Sequence, residues 1–541
     1  MDLSTYAGRW VAFANGRVAG VGHTAAEALH LARRNRPKER LTVAFVEGEG
    51  KRPLTLPALM DRIRPLLNRH ETAVYLVGGA VRDALLGRSS NDLDFVVPER
   101  AIKLTFRVAD RLHEPAYVLD RERDAGRVVM QADETTLDFT RFRQKDLDAD
   151  LHDRDFTINA IALPATAKDE TSLIDPCGGV ADLRAGLIRQ ASPTALTNDA
   201  VRGLRGLRLA LTLGFEIEGE TAVSIAQSSQ EMHKVSIERV QAEFVKLLHT
   251  DFPDQAAQLM DESGWLHAIT PEITDLRDLT QSPPHHENVL AHTISVLRWL
   301  RLVETAVLTD SALPEPTPIA HAIRGALAPF AEPLCDHFSR EINGGLDGLA
   351  LLRLAALFHD VGKKATRTVE ENGRIRYIAH DRVGAKIAAK RLRRLTFSNE
   401  AIAHVKRVVD GHMRPLYLVN NGGTVSRRSV FRYFRATGEA GLDIGLLALA
   451  DHLATYDGVG DAGTWRKLTA LVAHLFRHYF EHHEETVAPP QLINGRELIT
   501  ALSLTPGPEV GRLLRLITEA QAAGEIQTKG EAIALARQEN R

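Results

Sequence analysis

The stretch "YLVGGAVRDALLGRSSNDLDFVV", Tyr75 to Val97, decides the fold of the region around it. "AVYLV" reads as a strand, Gly78 and Gly79 let the backbone turn sharply with its N–H groups exposed, and "AVRDALLG" reads as a helix starting there. Such a turn is an anion-binding nest. In "NDLDFVV" a period of two puts Asp92 and Asp94 on one face of a strand, and Leu93 and Phe95 on the other. Adjacent carboxylates repel unless a cation joins them, and hard oxygen ligands beside a phosphate cradle suit Mg²⁺. A further acid, Asp138, lies in the strand-like "TTLDFTRF". Three acids and a phosphate cradle point to two-metal nucleotidyl transfer. The similar acids of "DLDAD", Asp146, Asp148 and Asp150, fall in a polar stretch that reads as loop.

Outward from this stretch, 541 residues with 44% hydrophobic and 25% charged composition imply about three to four globular domains. No apolar run is long enough to span a bilayer, so no membrane partner is expected. The start "MDLSTYAGRW" lacks a leader pattern, and Cys177 and Cys335 alone build neither a disulfide framework nor a zinc knuckle. A cytoplasmic location is expected. The net charge of -3 hides a local field: residues 361–435 carry 18 Lys or Arg against 5 Asp or Glu, including "KRLRRL" and "SRRSVFRYFR". That excess suits a phosphate backbone, the alternative being a solvated helical face.

Residues 1–50 read as a small α+β module, with an Asn15-Gly16 hairpin turn, a helix and a strand, closed by the linker "EGEGKRP". Strand and helix signals alternate to about 165, "LIDPCGGVADLRAG" is a turn-rich joint, and helical periodicity dominates beyond it. The Pro- and Ala-rich "ALPEPTPIAHAIRGALAPFAEPL" reads as an insertion or lid.

The segments "LVGGAVRDALLGRSSNDLDFVV", "RDFTINAIAL", "DPCGGVADL", "NDAVRGLRGLRLALTLGF" and "SIERVQAEFVKLL" occur in this order. In that order they resemble bacterial-type tRNA CCA-adding enzymes and their poly(A) polymerase relatives. The tail "LINGRELITALSLTPGPEVGRLLRLITEAQAAGEI" is similar to the tRNA-binding end of the same family. The resemblance implies that Asp92 and Asp94 hold two catalytic metals and Asp138 is the third carboxylate. It also implies that Gly78, Gly79 and Arg82 hold the triphosphate, and that Arg154 and Asp155 read the ribose. The family usually has arginine at the position of Asp153 and glutamate at that of Asn198.

Asp199 and Arg202, at i and i+3, are expected on one helix face, where acid and guanidinium together match the amino donor and ring-nitrogen acceptor of cytosine and adenine. Arg205 extends that face towards base or triphosphate, and Glu238 and Arg239 are read as structural.

"NVLAHTISVL", "LLRLAALFHDVGK", "IAHDRVGAKIA", "VVDGHMRP" and "LLALADHLATYDG" supply His292, His359, Asp360, His380, His412 and Asp451 at the ends or interiors of apolar helices. Such groups are costly there unless something satisfies them, and mixed imidazole and carboxylate ligands suit Mn, Fe, Ni or Zn. The order resembles the HD phosphohydrolase superfamily and implies two metals sharing Asp360, with Lys363 neutralising a phosphate oxygen. His285 and His286 read as surface histidines, and His474, His478, His482 and His483 as a solvated face.

The expected fold class is multidomain α+β: a polymerase-β-like nucleotidyltransferase head at 55–195, a helical neck at 196–275, an HD domain at 285–483 and a helical tRNA-binding tail at 488–541. The expected function is addition of CCA, or part of it, to tRNA from CTP and ATP, with an HD site that trims phosphorylated RNA 3′ ends. Poly(A) polymerase, CC-only or A-only addition, and an HD phosphohydrolase with a nucleotide-sensing head remain alternatives. Nothing in the sequence speaks to oligomeric state.

Overall fold

The structure, a computed structural model, describes the chain except residues 1–2, 7–8, 23–24, 37–38, 40, 47–53, 133, 309–316, 344, 421–424 and 541. The "EGEGKRP" linker therefore lies outside the described residues. Contacts divide the rest into two compact units, 1–243 with 263–265, and 244–262 with 266–541.

In the first unit, β1 (Trp10–Ala14), β2 (Arg17–Gly22) and β3 (Leu41–Phe45) form an antiparallel sheet of order β2-β1-β3, crossed by α1 (Ala25–Asn35). Asn15 and Gly16 both have positive φ, 48° and 74°, as a tight hairpin between right-twisted strands requires.

The head follows as α2 (Leu59–Leu67), β4 (Tyr75–Val77), α3 (Gly79–Leu85), β5 (Asp92–Val97), α4 (Ala101–Leu112), β6 (Ala116–Asp120), β7 (Ala125–Met130), β8 (Thr135–Arg141), α5 (Leu147–His152) and β9 (Ala162–Pro164). Its sheet has the order β6-β7-β8-β5-β4-β9. Only β5 and β8 pair in parallel. The period of two then sorts the faces. Leu93, Phe95, Val97, Leu137 and Phe139 pack in one core with Met60 and Ile63 of α2 and Leu104 and Val108 of α4, and the Phe95 and Phe139 rings stack at 5.0 Å. The opposite face is covered near β4 and β9 by a smaller apolar cluster including Leu151 and Phe142, and stays open further along the sheet.

The second unit is mainly helical. The Pro- and Ala-rich segment is not a lid where it is described. Thr317 caps the helix Pro318–Leu327, the helix Ala331–Ser339 follows, and Ile323, Leu327, Phe330, Leu334 and Phe338 are buried. Prolines at a helix start leave no hydrogen bond unmade, which is why this composition folds as helix. The tail forms the helices Gly495–Leu502, Pro508–Ala522 and Lys529–Glu539 around Leu498, Leu513, Ile517, Ala532 and Ala536. Capping boxes at Asn494 and Thr528 start two of them.

One polar cluster inside this unit makes stability depend on pH. Asp443 is fully buried and accepts hydrogen bonds from His337 Nε2 and His404 Nε2, each at 2.9 Å. Burial pushes the Asp443 carboxyl up, but the His404 charge and both histidine hydrogen bonds outweigh it and hold the pKa at about 2. Burial opposes charge on His404 too, yet Asp443 raises its pKa above the ordinary value. The Asp443 contribution is complete above its unfolded pKa of about 4 and is lost as pH falls through 2, whereas that of His404 is complete below about 6.5 and is lost as pH rises through its raised pKa. The cluster therefore stabilises most between about pH 4 and 6.5. Urea titrations of an Asp443→Asn variant across pH are expected to show both limbs flattened.

Candidate active sites

On the open face of the head sheet, register sets the geometry. Asp94 of β5 stands directly beside Asp138 of β8, and Asp92 beside Thr136, whose hydroxyl donates to Asp92 Oδ1 at 2.6 Å. Arg127 of β7 clamps Asp138 with Nε at 2.6 Å and a terminal nitrogen at 2.7 Å. Desolvation lifts the Asp94 carboxyl above its ordinary pKa, Arg154 opposes the rise, and Asp138 and Asp92 add to it. Like-charged carboxylates crowded in this way are what a divalent cation relieves.

Gly78 has φ +73°, and a Cβ there would lie 3.4 Å from both Arg154 and Asp94 Oδ2, so the turn runs directly against the acids. Only glycine combines that conformation with that closeness. Gly79 opens α3, with Arg82 folded back over it.

Several expected residues sit differently from the sequence reading. Arg154 and Asp155 do not pair with each other. Arg154 reaches Asp150 at 3.2 Å and borders the glycine turn, while Asp155 is buried and accepts from Arg205 at 3.0 Å, Asn159 at 3.1 Å and the Phe156 N–H at 2.9 Å. Burial raises the Asp155 pKa, but those partners, Arg205 first, hold it at about 2. Arg205 thus pairs with Asp155 and lies 3.8 Å from Glu243. Arg82 is held by Asp83 and by Asn159 at 2.7 Å.

Asp199 and Arg202 do not share a helix face. Asp199 is extended at the end of the short helix Ala195–Asn198, and Arg202 begins the helix Arg202–Leu213. They still meet at 3.8 Å, and Arg202 is buried with hydrogen bonds to the carbonyls of Arg154 and Ala195. Asp199 Oδ2 is taken by Arg239 at 2.6 Å, so Arg239 touches this acid instead of serving only the helix core. Asp199 Oδ1 is buried without a hydrogen-bond partner. The two departures from the family pattern face each other, Asn198 Nδ2 lying 3.5 Å from Asp153 Oδ1.

"DLDAD" is not loop. Asp146 caps α5, and buried Asp150 accepts from the Arg143 N–H at 2.7 Å. Arg143 went unnoticed in the sequence because no motif marks it. Its guanidinium is pushed below its ordinary pKa by burial and then by Arg154, with Arg202 adding to the effect. Arg143, Arg154 and Arg202 are thus close enough to repel one another, which an anion would relieve as Asp150 already does in part.

The histidine region assembles as expected. The ligand atoms of His292, His359 and Asp360 lie within 4.8 Å of one another, as do those of Asp360, His380 and His412, so Asp360 is common to both groups. Asp451 Oδ1 joins His292 Nε2 at 3.0 Å. The Nδ1 atoms of His359, His380 and His412 lie 2.7, 2.8 and 2.7 Å from the carbonyls of Ala356, Tyr377 and Val409. That fixes the proton on Nδ1 and leaves Nε2 as the ligand atom. His359 Nε2 is buried, 3.2 Å from Asp360 Oδ2 and 4.0 Å from Asp451 Oδ1. Lys363 Nζ contacts Asp360 Oδ2 at 2.6 Å and Gln281 at 2.7 Å.

A cleft of about 730 Å³ opens over Asp360, His380, His412 and Asp451, and His285 lines it. His285 is therefore not a surface histidine: its ring meets that of His292 edge-on at 5.0 Å, and burial, then Lys363, hold its pKa at about 4. His286 does remain exposed. His474 and His478 are likewise half-buried, with rings 4.6 Å apart, rather than a solvated face.

The basic excess of 361–435 is partly neutralised by acids distant in sequence. Arg391 pairs with Glu272, Arg428 with Glu525, and Arg432 with Glu519.

Head and histidine cluster together define a nucleotidyltransferase head joined to an HD domain. Family models agree: "Poly A polymerase head domain" matches residues 74–189, "Probable RNA and SrmB- binding site of polymerase A" 214–276, "HD domain" 334–456, and a family of unknown function (DUF5678) 2–49. An A-adding tRNA nucleotidyltransferase of Deinococcus radiodurans is 31% identical over 479 residues, covering 87% of this chain and 97% of that protein. A CC-adding tRNA nucleotidyltransferase of Thermus thermophilus is 33% identical over 467 residues, covering 84% and 91%. The chain belongs to the tRNA nucleotidyltransferase family. Among solved structures, a CCA-adding enzyme in complex with ATP superposes with a TM-score of 0.60 at 19% identity, covering 90% of this chain and 96% of that one, which is a likeness of fold. No described helix is long and apolar enough to cross a membrane.

Proposed function

We propose that the chain adds nucleotides from CTP and ATP to the 3′ end of tRNA without a nucleic-acid template, completing CCA or part of it. The observation that carries this reading is the side-by-side register of Asp94 and Asp138 against the Gly78 turn, with Arg143, Arg154 and Arg202 close by.

Asp92, Asp94 and Asp138 suit Mg²⁺, because burial first and then the neighbouring Asp138 and Asp92 raise the Asp94 carboxyl, and a divalent cation would relieve it. Bound there, the ions would lower the pKa of the attacking hydroxyl and offset charge on the triphosphate. The arginine group seats the phosphates, and Asp138, held rigid by Arg127, orients the 3′ hydroxyl for attack on the α-phosphorus as pyrophosphate leaves. The unpartnered Asp199 Oδ1 accepts the exocyclic amino group that cytosine and adenine both carry. Head, neck and tail are placed at 55–195, 196–275 and 488–541, with the tail on tRNA, and a cytoplasmic setting suits free cysteines at 177 and 335.

The test supplies tRNA transcripts ending at the discriminator base, C or CC, with CTP and ATP separately and together, and sequences the 3′ ends. Completion to CCA establishes full addition, and no extension of any transcript overturns the reading. Of four relatives that match more than four-fifths of this chain, one is an A-adding and three are CC-adding enzymes, which favours addition of one part as the second reading. That reading requires extension to stop at CC or to occur only on CC ends.

We assign the HD cluster, 285–483, to hydrolysis of phosphate esters at RNA 3′ ends with Mn, Fe, Ni or Zn. Buried His359 Nε2, 3.2 Å from Asp360 Oδ2 within a mixed imidazole and carboxylate set, fits such an ion. An Asp360→Ala variant is expected to lose the tightly held metal, read by elemental analysis, while nucleotide addition stays within about twofold. Equal metal content in variant and parent would remove the assignment.

A further inference from the structure

The row of residues that contains the catalytic acids continues across the sheet to its edge. Asp94 registers with Asp138, Asp138 with Arg127, and Arg127 with Tyr117 of the edge strand β6. All four therefore face the open side, and Tyr117 stands directly beside Arg127, whose charged form is favoured by Asp138 first and by Tyr117 as well. Tyr117 is 47% exposed, and Leu119, two residues on, is 44% exposed. At a strand spacing of about 4.8 Å, the Tyr117 backbone stands roughly 10 Å from that of Asp138.

An exposed aromatic and an exposed leucine on an edge strand are a liability that natural sheets usually blunt with charge. Here the edge is broken by a bulge between Val118 and Asp120, which leaves Leu119 outside the ladder and disfavours pairing with another strand. The turn from β6 to β7 adds exposed Arg121, with Glu122 exposed beside it and Arg123 paired with Asp120 at 3.6 Å, and Arg127 lies between Tyr117 and the acids. An exposed aromatic face is what a base of single-stranded nucleic acid stacks on, with an arginine alongside to meet a phosphate.

We propose that Tyr117 and Leu119 form the platform on which the terminal base of the RNA primer stacks, so that its 3′ hydroxyl reaches Asp94 and Asp138. This rests on the nucleotide-addition reading. The incoming nucleotide occupies the glycine and arginine side of the acids and the primer end the β6 side. Tyr117 then does two separable things, its ring carrying the base and its hydroxyl positioning Arg127.

The test compares Tyr117→Leu, Tyr117→Trp, Tyr117→Phe and Leu119→Ser in steady-state addition to tRNA, together with quenching of a 2-aminopurine placed at the 3′ end of the RNA. Loss of one stacked base predicts a primer KM raised roughly 5- to 100-fold in Tyr117→Leu, with the nucleotide KM within about twofold. Tyr117→Trp and Tyr117→Phe should keep the parent primer KM, Tyr117→Phe changing only kcat, and Leu119→Ser should raise the primer KM severalfold. The quench should appear with the parent and vanish with Tyr117→Leu. It requires no turnover, so a parent that quenches without extending the RNA would sink nucleotide addition and leave the platform standing. Unchanged primer KM and quench in Tyr117→Leu overturn the platform.

Discussion

Replacing Asp94 by Asn is expected to lower kcat for nucleotide addition by about 10³-fold or more, the scale on which removal of one member of a preorganised electrostatic set is felt. Asp94 stands between Asp92, two residues away on its own strand, and Asp138, beside it on the next. No other described carboxylate is in register to take its place. The fold should not suffer. Because the folded pKa of Asp94 is raised, its ionised form costs stability at neutral pH, a cost relieved as pH falls through the folded value. A neutral side chain of similar size removes that cost, so the thermal midpoint of Asp94→Asn should match or exceed the parent's. Strain kept where the chemistry is done and relieved by an inactivating change is the signature of a functional site. Retention of kcat within about tenfold, measured with saturating tRNA and nucleotide, would move catalysis away from these acids.

The largest stability effect is expected at Arg353. Its guanidinium, buried in the second unit, binds Glu304 through Nε and a terminal nitrogen, the shortest contact being 2.7 Å, and donates to the carbonyls of Leu248 and Thr250 at 2.9 and 2.8 Å. Arg353→Met leaves Glu304 charged or protonated in a buried site and orphans two carbonyls, a loss of about 3 to 5 kcal/mol. Against a total of about 5 to 15 kcal/mol for a domain, that is a large share, and the urea midpoint should fall accordingly. Combining it with Glu304→Leu should recover part of the loss, since no buried charge then lacks a partner. Arg353 lies on the helix Gly348–Phe358, which leads directly into His359 and Asp360, so metal content should fall in step with stability. A shift of the midpoint equivalent to less than about 1 kcal/mol would mean that the pair is solvated.

Much of the site could be read along the chain because its chemistry is local. The period of two within six residues of β5 puts Asp92 and Asp94 on one face, and a glycine pair before a helix can only be a turn, so these expectations needed no fold. Histidines and acids ending apolar helices are equally visible, since burial without a ligand would be costly, and four histidines gather around Asp360 with Asp451 joined through His292.

What was misread depends on partners far away in sequence. Arg154 and Asp155 are neighbours in the chain, yet in the bend after α5 one turns to Asp150 and the other to Arg205. Arg143 becomes one of a group of arginines only when α5 and the start of the helix Arg202–Leu213 bring Arg154 and Arg202 to it. His285 and the Pro- and Ala-rich segment looked solvent-facing because composition does not say which neighbours will cover a residue.

By itself, then, the sequence determined the strand with its paired acids, the glycine turn, the metal-binding helices and their order, all of them set by steric rules and periodicities within a few residues. The tertiary structure alone decided that Asp138 stands beside Asp94, that Arg239 rather than a helix neighbour holds Asp199, and that Tyr117 ends the catalytic row. Each of those is a register or a packing contact between segments tens of residues apart, and only the burial of a shared core selects one such register from the many that the local pattern allows.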